Sequence, residues 1–389
     1  MPFDLFFRGA SAARASRVSP SPAARRPLGA PRLVLAVVAT LALLPVPPAA
    51  AQATAPGRRA ITWDDVAGLR AVADPQLSPD GTRVLYTVRV TDVAANRRVP
   101  STWLVAVAGG APRRWPNESV PATEARWSPD GKTVAYVAQG QLWLANADGS
   151  APRRITSLTG GAGGPVWSPT GDRIAFTSTV YPECPDDACN AARDKAREES
   201  KVKARVTETL LYRHWNTWGD GMRSHLFVVA PDGSGLRDLT AGARYDVPVP
   251  PFGGSEGYAF SPDGFEVAYT AKDAGREDAW STDVNVYTIP VAGGAPTVIT
   301  AGNKGADQNP VYSPDGRFIA YASQARAGFE AVRWRLMVHD RTTRAARELL
   351  PAWDRNAESY FFAPDSRTLF VGTGDRGRDR LFRVALTAA

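Results

Sequence analysis

The chain has 389 residues, room for one large or two ordinary domains. Its 44% hydrophobic content suits a packed core, and its 32 Pro and 34 Gly suit a turn-rich β protein. The formal charge is +7, but the first 53 residues hold six Arg and one Asp. The rest is nearly neutral, which is no electrostatic footprint for a polyanion and argues against nucleic acid as a partner.

Arg25, Arg26 and Arg32 precede a largely apolar, uncharged run at 33–44. A bilayer needs about 20 helical residues, so this run is short for a span. Pro45, Pro47, Pro48 and the small-residue site Ala51-Gln52-Ala53 follow. The segment reads as a secretory signal peptide, 1–53, with a retained N-terminal anchor as the competing reading. No later stretch is apolar enough to span a membrane. The mature chain is therefore expected to be periplasmic or secreted.

Residues 54–71 read as a lead-in. Thr62 with Asp65 three residues on predicts a short capped helix. From residue 72 the chain repeats itself. Leu77-Ser78-Pro79-Asp80-Gly81 returns as Trp127-Ser128-Pro129-Asp130-Gly131, Trp167-Ser168-Pro169-Thr170-Gly171, Phe260-Ser261-Pro262-Asp263-Gly264 and Tyr312-Ser313-Pro314-Asp315-Gly316. Phe362-Ala363-Pro364-Asp365-Ser366 is a worn sixth copy. Ser, Pro and Gly suit the first, second and fourth positions of a β-turn. An alternating apolar run follows each turn, such as Val134-Ala135-Tyr136, and reads as a strand entered from a hairpin. A second phrase, Arg153-Arg154-Ile155-Thr156, recurs as Arg237-Asp238-Leu239-Thr240 and Thr297-Val298-Ile299-Thr300. A strand-rich unit of about 40–50 residues is the signature of a propeller blade. The expected fold is all-β: a β-propeller at 72–389 with five full four-stranded blades and a partial sixth.

The period breaks in blade three, where about 179–224 is an insertion. Residues 190–211 are rich in Ala, Arg, Lys and Glu without Gly or Pro, and predict a helix. Cys184 and Cys189 are the two cysteines of the chain. In an oxidising compartment they read as a local disulfide. The metal reading is poorer, because His214, His225 and His339 lack ligand spacing. No metal or other cofactor is expected. The run Leu211-Tyr212-Arg213-His214-Trp215-Asn216-Thr217-Trp218 ends the insertion. Its aromatics either pack the insertion onto the blade or line a peptide-sized cavity.

These segments, with Asp246-Val247-Pro248, Pro251-Phe252-Gly253-Gly254, Gly275-Arg276-Glu277-Asp278-Ala279-Trp280-Ser281-Thr282 and Arg326-Ala327-Gly328-Phe329-Glu330, resemble the propeller half of the prolyl oligopeptidase family of serine peptidases. The resemblance is to its dipeptidyl-peptidase and acylaminoacyl-peptidase branch and runs from about residue 60 to the end. The turn repeats alone are shared with TolB-type propellers, so a standalone protein-binding propeller is the alternative. The resemblance implies an α/β-hydrolase domain after the propeller, carrying the catalytic Ser, Asp and His, and a peptide substrate admitted through the propeller channel. The sequence in hand reaches Ala389 inside the expected sixth blade, so it is expected to be inactive alone.

The resemblance also points to substrate-binding candidates. Some family members hold the substrate's amino terminus with a propeller Glu pair, which suggests Glu198 and Glu199. Neighbouring helical residues diverge by about 100°, however, and a solvated charge run is the competing reading. Glu330 and Arg326 lie in a loop expected to face the cavity, although Val332 stands where family members often show Asp. His214 and Trp215 complete the set. Gly253-Gly254-Ser255-Glu256-Gly257 mimics a nucleophile elbow, but its Pro-rich entry and its exit into a turn fit neither the strand nor the helix that an elbow requires.

Overall fold

The computed structural model describes residues 59–208 and 210–386. The signal-peptide reading of 1–53 lies outside the described residues. The chain divides into two units, one ending at Ala67 and the other beginning at Gly68. The first holds helix α1, Trp63–Ala67. Its start is a reciprocal cap: Thr62 N donates to Asp65 Oδ2 at 2.8 Å, and Asp65 N donates back to Thr62 Oγ1 at 3.4 Å.

The second unit is a six-bladed β-propeller, antiparallel throughout. Blade one comprises Ala71–Leu77, Arg83–Asp92, Arg97–Ala106 and Arg113–Arg114. Blade two comprises Thr123–Trp127, Thr133–Ala138, Gln141–Asn146 and Arg153–Arg154. In blade three, Gly163–Trp167 and Ile174–Val180 are separated by the insertion from Arg223–Val229 and Arg237–Asp238. Blade four is Tyr258–Phe260, Glu266–Ala271, Asn285–Pro290 and Thr297–Val298, and blade five is Asp307–Tyr312, Phe318–Ser323, Arg335–Asp340 and Ala345–Glu348. Blade six has three strands among the described residues: Ser359–Phe362, Thr368–Asp375 and Arg378–Ala385.

The repeated turn is built the same way each time. In blade one Ser78 Oγ donates to Asp80 Oδ1 at 2.5 Å and accepts from Arg83 N at 2.9 Å, while Gly81 N donates to Ser78 O at 2.8 Å. The glycine sits at φ +70°, a left-handed conformation that Gly adopts without steric cost. Blades two, four and five repeat the Ser–Asp bond at 2.5–2.6 Å. In blade three Thr170 replaces the Asp, and Asp172 supplies the carboxylate instead, 2.9 Å from Ser168 Oγ. The worn copy keeps its shape because Ser366 takes the left-handed position at φ 56°.

The core lies between blades. Val134 and Tyr136 pack with Leu85 and Leu104 of blade one, whereas Ala135 between them packs with Ile174 and Phe176 of blade three. Blade three does the same, with Ala175 facing blade four, and blade four follows with Ala268 facing blade five. The second strands of blades two to five thus present bulky side chains backward and an alanine forward, where blade one has Leu85. A single four-stranded sheet could bury neither face alone, which is why the units stack.

The insertion corrects one expectation. The helix, α2, spans Asp187–Glu199 rather than 190–211. It starts earlier because Asp186 caps it, accepting from Cys189 N at 2.9 Å. It stops at Ser200, whose backbone is extended (φ −60°, ψ 129°). Val202, Val206 and Thr207 follow, β-branched residues that weaken helix propensity, and 201–207 lacks regular structure.

Candidate functional site

Strand order decides which loops share a face. Every first strand runs into its turn at one end of the propeller, Ser-Pro in blades one to five and Ala363-Pro364 in blade six. The connections from second to third strand, and the crossovers from fourth strand to the next blade, therefore meet at the other end. That face collects the insertion of blade three, the Pro-rich crossover around Phe252, the connection at 272–284 and the Arg326–Glu330 loop.

The first strands are innermost, because they bond from blade to blade. Arg126 Nη1 donates to Asp74 Oδ2 at 2.8 Å, and Gly164 N donates to Glu124 Oε2 at 2.6 Å. Trp127 Nε1 reaches Gln76 O at 3.0 Å, Trp167 Nε1 reaches Arg126 O at 3.1 Å, and Tyr360 OH reaches Asn309 O at 2.6 Å. Asp74, Glu124, Gly164 and Asn309 occupy the same place in four blades, and all have positive φ. In each of these blades the pairing with the second strand slips there or at its neighbour, a bulge that re-aims the side chain.

Helix α2 is tied down along its length. Cys184 and Cys189 are joined by a disulfide just before and within its first turn. Asn190, 4% exposed, accepts from Tyr181 N at 2.8 Å, and Tyr181 OH donates to Asp194 Oδ1 at 3.0 Å. Asp187 accepts from Thr159 N and Oγ1 at 2.9 and 3.0 Å. Arg197 donates to Asp220 at 2.7 Å on the return of the insertion.

The candidate residues occupy separate parts of this face. Glu199 pairs with Lys195 at 3.8 Å, while Glu198 lines a cleft shared with Lys203, Arg205 and Tyr212. No hydrogen bond or ion pair among the described residues joins either Glu to Glu330. His214 belongs to a hairpin, Arg213–His214 against Thr217–Trp218. Its ring lies 4.9 Å from that of Trp215, which lies 5.7 Å from Phe252. Trp215 and Phe252 nevertheless stay 61% and 78% exposed, so this packing leaves an open aromatic surface. Arg326 lies over the ring of Phe329 at 4.6 Å. Their loop is pinned by buried Gln324, whose Nε2 donates to Glu330 O and Val332 O, both at 2.7 Å. Gly328 N donates to Thr282 Oγ1 at 2.8 Å, which links the loops of blades four and five.

Sequence reasoning missed Phe252, Gln324 and Thr282. Phe252 and Thr282 stood in segments quoted only for their resemblance, and Gln324 acts through backbone oxygens, which no spacing reveals. The remaining histidines lie elsewhere. His225 Nε2 lies 2.9 Å from Ala243 O and Nδ1 lies 2.7 Å from Asp238 Oδ2. His339 sits within a strand, where burial lowers its pKa. Ser255 opens a three-residue 3-10 turn that leads into a strand, not the helix of an elbow.

Comparison with known proteins decides the family. The dipeptidyl-peptidase 5 of Porphyromonas gingivalis is 31% identical over 329 residues, 82% of this chain and 47% of that protein. The chain carries a propeller of the prolyl oligopeptidase family. A second family relative, dipeptidyl-peptidase 5 of Porphyromonas endodontalis, is 27% identical over 269 residues, 67% of this chain and 38% of its own. The chain spans about half or less of the length of these curated relatives. No family model matches it. Among solved structures, the Pyrococcus horikoshii acylaminoacyl peptidase aligns with a TM-score of 0.58 at 13% identity, over 81% of this chain and 44% of that one. The β-propeller domain of the Trilobed protease from Pyrococcus furiosus aligns at 0.51 and 13% identity, over 81% and 82%. At such identities these two speak for the family's propeller fold alone.

Proposed function

We propose that this propeller gates and selects peptide substrates for an exported serine peptidase of the dipeptidyl-peptidase or acylaminoacyl-peptidase kind. The observation that carries the reading is topological. The insertion, the aromatic hairpin, the Pro-rich crossover and the Arg326–Glu330 loop all emerge on one face around the innermost strands. A channel walled by those strands admits an extended peptide and refuses a folded protein. The hydrolytic step belongs to a hydrolase domain, the propeller's partner in this reading. Periplasmic or secreted location fits the basic and apolar character of 1–53. Among the described residues, no helix is long and apolar enough to cross a membrane. The alternative, a standalone protein-binding propeller, has no specific observation in its favour.

Peptide hydrolysis needs an activated nucleophile, an oriented base and an oxyanion site. The 389-residue chain is expected neither to cleave dipeptide or acyl-amino-acid chromogenic substrates nor to label with a fluorophosphonate. The same propeller joined to a hydrolase domain is expected to do both. Labelling of the chain that disappears in Ser255→Ala would overturn this division of labour. Equal cleavage of folded proteins and short peptides by the joined enzyme would overturn the gate.

A further inference from the structure

The rim of blade three carries two guanidinium groups that have no carboxylate partner among the described residues. Arg205, in the irregular segment after α2, stands over the Trp218 ring with its Cζ 4.8 Å from the centroid. Arg213, the cross-strand partner of Trp218, stands 6.0 Å from the same centroid. The other arginines of the insertion are matched: Arg193 with Glu183, Arg197 with Asp194 and Asp220, Arg223 with Asp246. Among the described residues, neither the Arg205 nor the Arg213 guanidinium has a hydrogen-bond or carboxylate partner.

Gathering two like charges at one indole is unfavourable unless something offsets it. The negative face of the ring offsets part. An anion held at the ring edge would offset the rest, because guanidinium presents a planar fork of donors that fits a carboxylate. The hairpin is a firm platform for this. Tyr212 packs against Trp218 at 6.1 Å between centroids, and Gly219 N closes onto Tyr212 O at 2.9 Å.

We propose that Arg205, Arg213 and Trp218 form a carboxylate site that recognises an acidic side chain of a peptide at the rim. The proposal rests on the reading that this face meets peptides. The adjoining cleft favours a peptide over a polyanion. Val202, Val206 and Leu211 line it beside Arg205 and offer apolar surface to neighbouring residues.

The test is a binding titration of the whole 389-residue chain with two peptides blocked at both ends, acetyl-Ala-Ala-Glu-Ala-Ala-amide and its Gln counterpart. The Glu peptide is expected to bind about tenfold tighter, the scale of one charge-assisted pair. That preference should shrink as salt rises. Arg205→Ala and Arg213→Ala should each reduce it, and the double variant should abolish it. Both side chains are exposed, so circular dichroism and melting should be unchanged in the variants; Arg205→Lys and Arg213→Lys, which keep the charge but lose the fork, should retain a partial preference. Equal affinity for the two peptides, no binding of either, or a preference that survives in the double variant would overturn the site. None of these outcomes touches the peptidase reading, which is tested by hydrolysis in the joined enzyme.

Discussion

At the scale of single residues, the turn carboxylates bear most on stability against acid. The Ser78 hydroxyl, with help from the backbone and hydroxyl of Thr82, pulls the Asp80 pKa down to about 2. Ser128 and Ser261 lower Asp130 and Asp263 by the same means. As pH falls the unfolded chain takes up protons first, near pH ~4, so the contribution is whole above that value and is lost on the way to about 2. Melting temperature is expected to be flat from about pH 7 to 5 and to drop below about 4. These carboxylates are exposed, so each contributes modestly and the effect is a sum over turns. A triple Asp80→Asn, Asp130→Asn, Asp263→Asn variant should lose part of that acid limb. An unchanged limb in melts across that range would rule the turns out as its source.

At the scale of strands and helices, the alternation Val-Ala-Tyr carries the architecture. Ala135 is fully buried against Ile174 and Phe176. Ala135→Leu would force methyl groups into that contact and is expected to cost about 1–3 kcal/mol or more. Denaturant melts would show it as a lower midpoint with an unchanged slope; full tolerance would mean the blades are looser than their packing shows. This level was also the most legible in the sequence. The Ser-Pro-Asp-Gly repeats and their two variants marked the hairpin between first and second strands in each blade, because Ser, Asp and Gly are chosen there by local bonds that a sequence displays directly. The Ile-Thr phrase marked the outer strands for a similar reason: Thr156 and Thr300 each accept from a third-strand amide at 2.9 Å. The end of α2 was not legible, since Arg, Lys and Glu at 201–208 favour helix while the valines among them do not. The candidate site was legible only as segments. Which loops share a face follows from strand order, whereas the Trp215–Phe252 contact joins residues 37 positions apart in sequence.

At the scale of the whole molecule, the insertion is an attachment rather than a support. The disulfide closes a short loop, and α2 is also held by Asn190, Tyr181 and Asp187, so its loss is felt locally. Protein recovered from the periplasm should resist alkylation until reduced. A Cys184→Ser, Cys189→Ser variant should keep its main transition within about 2 °C while limited proteolysis speeds up across 201–212. A collapse of the main transition would make the insertion integral to the fold.

The bulky-alanine-bulky second strands of blades two to five have one more consequence. From blade two onward the joints are cut to the same key and face the same way, so a blade accepts its successor and rejects a reversed neighbour. Gain or loss of one whole repeat, cut between two successive Ser-Pro turns, would leave each joint with a matching partner. What would change is the number of segments around the axis, and with it the bore. In such a series the width of a passage can drift through duplication and deletion without any single contact having to be reinvented.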